Sequence, residues 1–153
     1  MKRLLAVLAA AALMLMGAGA SAAAAKPAPA TPHITYVVGQ WTTQEHTTFA
    51  LTARAVGVTS TYGVIFHVVA RDVAGNTVAE DAGYVPLRSG AGSNQWSTAP
   101  FAVSMPSADR VDVTASLYKQ KGRTAVTLET QSGSAVVADL LTWDAWVEFY
   151  KAS

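Results

Sequence analysis

The sequence predicts an all-β domain, an antiparallel β-sandwich of roughly seven to nine short strands. Three observations predict it. Apolar and polar residues alternate with a period of two in successive segments. Gly-containing turn signals lie between segments whose faces match when folded onto each other. No long segment carries an unambiguous helical stripe.

The first strand is expected over residues 34–41. In 47–57, Phe49, Leu51, Ala53 and Ala55 share one face, while Thr48, Thr52 and Arg54 fall on the other. In 64–73 the apolar face is Val64, Phe66, Val68 and Ala70. Gly75-Asn76 reads as a two-residue turn into the next strand, setting Arg71 opposite Glu80 and Val73 opposite Val78. A further strand is expected over 95–105, interrupted by Pro100, whose missing N–H confines it to an edge or a bulge.

In 111–119, Val111, Val113, Ala115 and Leu117 oppose Asp112, Thr114, Ser116 and Tyr118. Lys121-Gly122 reads as the turn folding 111–120 onto 123–131, with Leu117 opposite Val126 and Ala115 opposite Leu128. Residues 142–151 fit two periods. Trp143, Ala145, Val147 and Phe149 alternate with Asp144, Trp146, Glu148 and Tyr150, yet Trp143, Trp146, Val147 and Tyr150 also make a helical stripe. The clean alternation and the β-rich context favour a strand. The architecture that buries such faces is immunoglobulin-like or fibronectin-type-III-like.

The domain is expected over 33–153, behind two other segments. Residues 1–22, with 25 as an alternative end, read as a cleaved secretory signal peptide. Met1-Lys2-Arg3 is the basic start, 4–16 the apolar run, and Ala20-Ser21-Ala22 the small-residue cleavage pattern. That run is 13 residues long, whereas a spanning helix needs about 20. Residues 23–32, AAAKPAPATP, form an Ala/Pro-rich spacer that favours extended conformations. The expected location is extracellular or periplasmic, with no membrane insertion after cleavage. The chain has no cysteine, so the core alone must hold the domain, a pattern suited to bacterial export.

Charge narrows the partners. Of the 11 basic and 10 acidic residues, cleavage after Ala22 removes Lys2 and Arg3 and no acid, so a formal +1 becomes −1. The remaining charges are scattered. No run of Lys or Arg tracks a phosphate backbone, and nucleic acid is not an expected partner.

Catalytic chemistry has little support in the residues. His33, His46 and His67 are far apart and none sits at metal-ligand spacing beside another donor. His67 is expected on the polar face, either at the surface or packed against Tyr84. Asp72, Glu80 and Asp81 could converge near the first hairpin, but calcium wants six or more oxygens and no D-x-D-x-D-G loop is present. There is no G-x-S-x-G elbow. Asp144 and Glu148, four residues apart on a strand, would stand roughly 13 Å apart, too far for a carboxylate pair. Neither catalytic residues, nor a metal site, nor a cofactor are assigned.

Aromatic residues are the remaining lead. The chain has 4 tryptophans, and exposed indole and phenol rings stack on sugars or anchor protein partners. The candidate binding residues are Trp41, Trp96, Trp146, Tyr150 and Tyr118, with Arg88 and Asn94 from the Gly-rich loop 87–94. The expected function is a secreted, non-catalytic recognition or accessory module for an extracellular polysaccharide or protein. The alternatives are a structural subunit of a surface layer or fibre, and a small secreted hydrolase or protease inhibitor with Arg88 on its protruding loop.

Overall fold

The period-two alternation is realised as two facing layers of strands. The structure, a computed structural model, describes residues 30–90 and 95–152. The segment read as a signal peptide, most of the expected spacer and Asn94 lie outside the described residues. In chain order the elements are β1 (His33–Thr42), β2 (His46–Val56), β3 (Tyr62–Arg71), β4 (Thr77–Ser89), β5 (Trp96–Thr98), β6 (Phe101–Pro106), β7 (Arg110–Lys121), β8 (Thr124–Val136), β9 (Leu141–Thr142) and a helix, α1 (Trp143–Lys151).

One layer has β2 between β1 and β6, and the other runs β8-β7-β3-β4. The short β5 hydrogen-bonds to the end of β4 and to β2, joining both layers into one curled sheet. Pro100 separates β5 from β6, so the interrupted strand expected over 95–105 becomes two. All pairings are antiparallel except β9, which lies parallel to β1 at Gly39 and Gln40. The sheet is therefore mixed rather than purely antiparallel, within the all-β, sandwich-like fold that the alternation predicts.

The core lies between the layers. Ile34, Phe49, Leu51, Val64, Phe66, Val68 and Leu117 are fully buried, each side chain contributing about 1.5–3 kcal/mol by leaving water. Phe66 and Phe101 stack across it at 5.8 Å. At the seam between β1 and β8 a carboxylate does the joining. Glu129 accepts the Ile34 N–H at 2.7 Å and the Gln131 amide at 2.7 Å, and lies 2.9 Å from His33 Nδ1.

Two registers depart from expectation because of their turns. Asp72 accepts the backbone N–H and the side-chain amide of Asn76, which widens the first turn to residues 72–76. Arg71 consequently pairs with Thr77 and Glu80 with Val69, with a bulge between Ala70 and Arg71. Val73 is in that loop, not opposite Val78. Arg71 turns instead to Asp112 on β7. In the second hairpin the central pair is Gly122-Arg123, with Lys121 opposite Thr124 and Gly122 at φ 63°, a left-handed conformation that glycine takes at little cost. Centring the turn one residue later, plus a bulge at Leu117/Tyr118, places Leu117 opposite Glu129 and Ala115 opposite Gln131. His67 faces solvent beside Glu80, 3.6 Å from its carboxylate, while Tyr84 pairs with Ile65.

The C-terminal segment is a correction: residues 143–151 form α1, not a strand. As a strand, Trp143 would face away from Trp146 and Tyr150. As a helix the three share one face, which lies on β1. Asp144 in the first turn and Lys151 in the last suit the helix dipole.

Candidate functional site

The site is built on the outer face of β1 and β2. Their register aligns Val37 with Thr52, Gly39 with Ala50 and Trp41 with Thr48. Residues on this face alternate with the core-facing Phe49, Leu51 and Ala53, which leaves Gly39 and Ala50 as a floor of small side chains. Helix α1 lies on that floor. Trp146 is 3% exposed, and Ala50 and Thr52, the β2 partners of Gly39 and Val37, are buried as well.

Gly39 makes the approach possible. A Cβ there would stand 2.5 Å from Trp146 Cβ and Cγ, closer than any side chain tolerates. Trp146 is clamped between Trp143 at 5.7 Å and Tyr150 at 5.4 Å, the latter nearly parallel. Arg54 on β2 places its guanidinium 5.0 Å from the Phe149 ring, a cation–π contact that adds to the helix's hold.

At the N-terminal end of α1 the helix and sheet edge leave an open groove of about 650 Å³, lined by Gln40, Trp41, Thr42, Thr48, Thr142, Trp143 and Asp144. Trp41 is 60% exposed and Trp143 38%. The polar wall is ordered by local bonds. Thr42 Oγ1 donates to Gln40 Oε1 at 2.8 Å, and Thr48 Oγ1 to Ser104 Oγ at 3.3 Å. The groove thus offers two aromatic surfaces among hydroxyl, amide and carboxylate groups, a combination that stacks a ring and hydrogen-bonds its rim.

The carboxylates whose proton affinity the fold alters lie elsewhere. Hydrogen bonds from Ser134 and Arg71 hold Asp112 below the usual range, and those from Asn76 do so for Asp72. For Glu129 burial is the largest influence and acts upward, but bonds from Gln131, Ile34 and His33 outweigh it and the net direction is down. Each of these acids serves a turn or a strand contact. Among the described residues no group of three or more His, Cys, Asp or Glu is placed to hold a metal ion, and no helix is long and apolar enough to cross a membrane.

The candidates from sequence do not form one site. Trp41 lines the groove. Trp146 is corrected from a contact residue to a buried brace, because Gly39 admits its ring to the sheet surface. Tyr150, 38% exposed, stacks behind it. Trp96 is half-buried against the core and pairs with Ala55, beside the Ile34 end of β1 and roughly 23 Å from Trp41 at strand rise. Arg88 is exposed opposite Ser97 near Trp96. Tyr118 is half-buried on the other layer, opposite Gly63. Sequence reasoning missed Trp143, Thr48 and Asp144 as partners of Trp41. The signal for Trp143 was the 143/146/150 helical spacing, set aside in favour of alternation.

No family model matches this chain and no curated protein is similar to it. Solved structures that the chain resembles weakly include a "putative beta-galactosidase" from Bacteroides fragilis, at 10% identity and TM-score 0.39 over 67% of this chain and 16% of that one. A protein from Archaeoglobus fulgidus is similar at 11% identity and TM-score 0.35, over 68% of this chain and 94% of that one.

Proposed function

We propose that this chain is a secreted, non-catalytic recognition module that holds an extracellular polysaccharide or protein against Trp41 and Trp143. One observation carries the reading: an indole exposed by more than half, on a strand end, lines one groove with a second indole that is stacked on the buried Trp146. A large apolar ring held in water on a rigid support is the geometry of a contact residue. The hydroxyl and amide groups of Gln40, Thr42, Thr48 and Thr142 would orient the ligand, with no covalent step.

Export follows from the leader and is part of the proposal. N-terminal sequencing of protein recovered from outside producing cells should begin near residue 23. Binding is tested by retention on insoluble cell-wall and matrix preparations. Trp41→Ala and Trp143→Ala should each weaken retention about tenfold or more, equivalent to about 1.4 kcal/mol, while Trp96→Ala should not. Unchanged retention in both groove variants sinks the reading.

A second reading, a structural subunit of a layer or fibre, is favoured by one feature. β8 ends the sheet, and Val126 and Leu128 on it are exposed, so its free edge could take another strand. Light scattering across a concentration series decides it, since a strict monomer at high concentration rules it out.

A further inference from the structure

The aromatic groove is not isolated. Gln40 and Thr42 also line a second cleft of about 500 Å³, whose other walls include Val73, Asp109, Arg110 and Val137. The junction follows from strand geometry. Successive side chains leave a strand on opposite faces, so Trp41 serves the outer face of the sheet while Gln40 and Thr42 serve the end of the sandwich. The far wall is tied to the body by backbone bonds. Asp109 N–H donates to Arg71 C=O at 2.9 Å and Val137 N–H to Asp109 C=O at 2.8 Å.

Each cleft alone falls within the range of about 300–1,000 Å³ that suits one small ligand. They adjoin at Gln40 and Thr42, which wall both, so together they extend beyond the reach of such a ligand. Their charged side chains are Asp144, Asp109 and Arg110, one net negative charge and no cationic cluster to hold a polyanion. Their other polar groups are hydroxyls and an amide, which match hydroxyls.

We infer that the two clefts are one track, and that its ligand is a linear, uncharged polysaccharide. The chain stacks on Trp41 and Trp143, crosses the sheet end at Gln40 and Thr42, and reaches Asp109 and Arg110. The planar fork of Arg110 and the carboxylate of Asp109 there meet neighbouring hydroxyls from opposite polarities. This inference rests on the recognition reading above and commits it to one ligand class.

The test is titration calorimetry with cello-, xylo-, manno- and chito-oligosaccharides of increasing length. For at least one series, affinity should rise about tenfold from short to long chains. The double variant Asp109→Ala/Arg110→Ala should lose that rise while binding short chains as before. Ala138→Trp, an exposed position on the second cleft, should abolish the rise by blockage, independently of any charge. Trp41→Ala should weaken every length. A length-independent affinity, or variants that keep the rise, overturns the track and leaves the aromatic groove standing. Tighter binding of polygalacturonate than of every neutral chain, or binding of no oligosaccharide at all, overturns the ligand class. Retention on the insoluble preparations unaffected by both Trp41→Ala and Trp143→Ala removes the recognition reading itself.

Discussion

Gly39 and Trp146 are in contact across more than a hundred residues of chain: the space a Cβ would fill at position 39 lies 2.5 Å from the Trp146 Cβ and Cγ atoms. This single close approach seats α1 on the sheet and, through it, places Trp143 beside Trp41. Gly39→Ala should therefore undock the helix. Overpacking of this kind costs about 1–3 kcal/mol. The expected result is a lower urea midpoint, a red-shifted tryptophan emission and loss of groove binding, with the far-UV β signal kept. A variant that emits and binds as the parent does would show that α1 is held by other means.

Trp146 also carries a buried indole N–H with no hydrogen-bond partner among the described residues. Leaving such a donor unmade costs about 1–3 kcal/mol, so replacing it with an apolar ring recovers part of what the smaller ring loses in packing. Trp146→Phe should cost less than about 2 kcal/mol, and Trp146→Ala about 3–5 kcal/mol. Equilibrium denaturation of the two variants gives both values. Equal costs would mean that the ring's packing contributes little.

Trp41 should behave in the opposite way. It is 60% exposed at a strand end, so Trp41→Ala should change stability by no more than about 0.5 kcal/mol while weakening ligand retention. Thermal melts run beside the retention assay separate the two effects. A large fall in melting temperature would make Trp41 a structural residue.

Glu129 makes stability depend on pH with a definite sign. Its folded pKa lies below the ordinary glutamate value of 4.5, because the ionised form accepts bonds from Gln131, Ile34 and His33. The stabilisation is therefore complete above that value and is lost as pH falls through the lower folded one. Urea midpoints should be level near neutrality and fall in acid. Glu129→Gln should be weaker than the parent at pH 7, and the gap should narrow at pH 3, where the parent carboxylate is increasingly protonated. A gap that widens in acid would contradict this account.

Strand positions were legible because each half-buried strand writes its burial into its own alternation. Phe49-Leu51-Ala53-Ala55 and Val111-Val113-Ala115-Leu117 needed no other part of the chain to be recognised. Registers were less so. The first hairpin depends on an Asp72 side chain bonding to Asn76, and the second on where the left-handed glycine sits within its turn, and each moves the pairing on both strands. The segment 142–151 satisfied both periods, and local pattern could not choose between them.

By itself, the sequence determined the all-β class and the core faces, and it named Trp41 among several aromatic candidates. Tertiary structure decided that 143–151 is a helix, that Trp146 is a brace, and that Trp143, Thr48 and Asp144 join Trp41 in one groove. The reason is range. Alternation and turn chemistry act between neighbours a few residues apart, whereas the helix is chosen by a floor of Gly39 and Ala50 that exists only once β1 and β2 have paired.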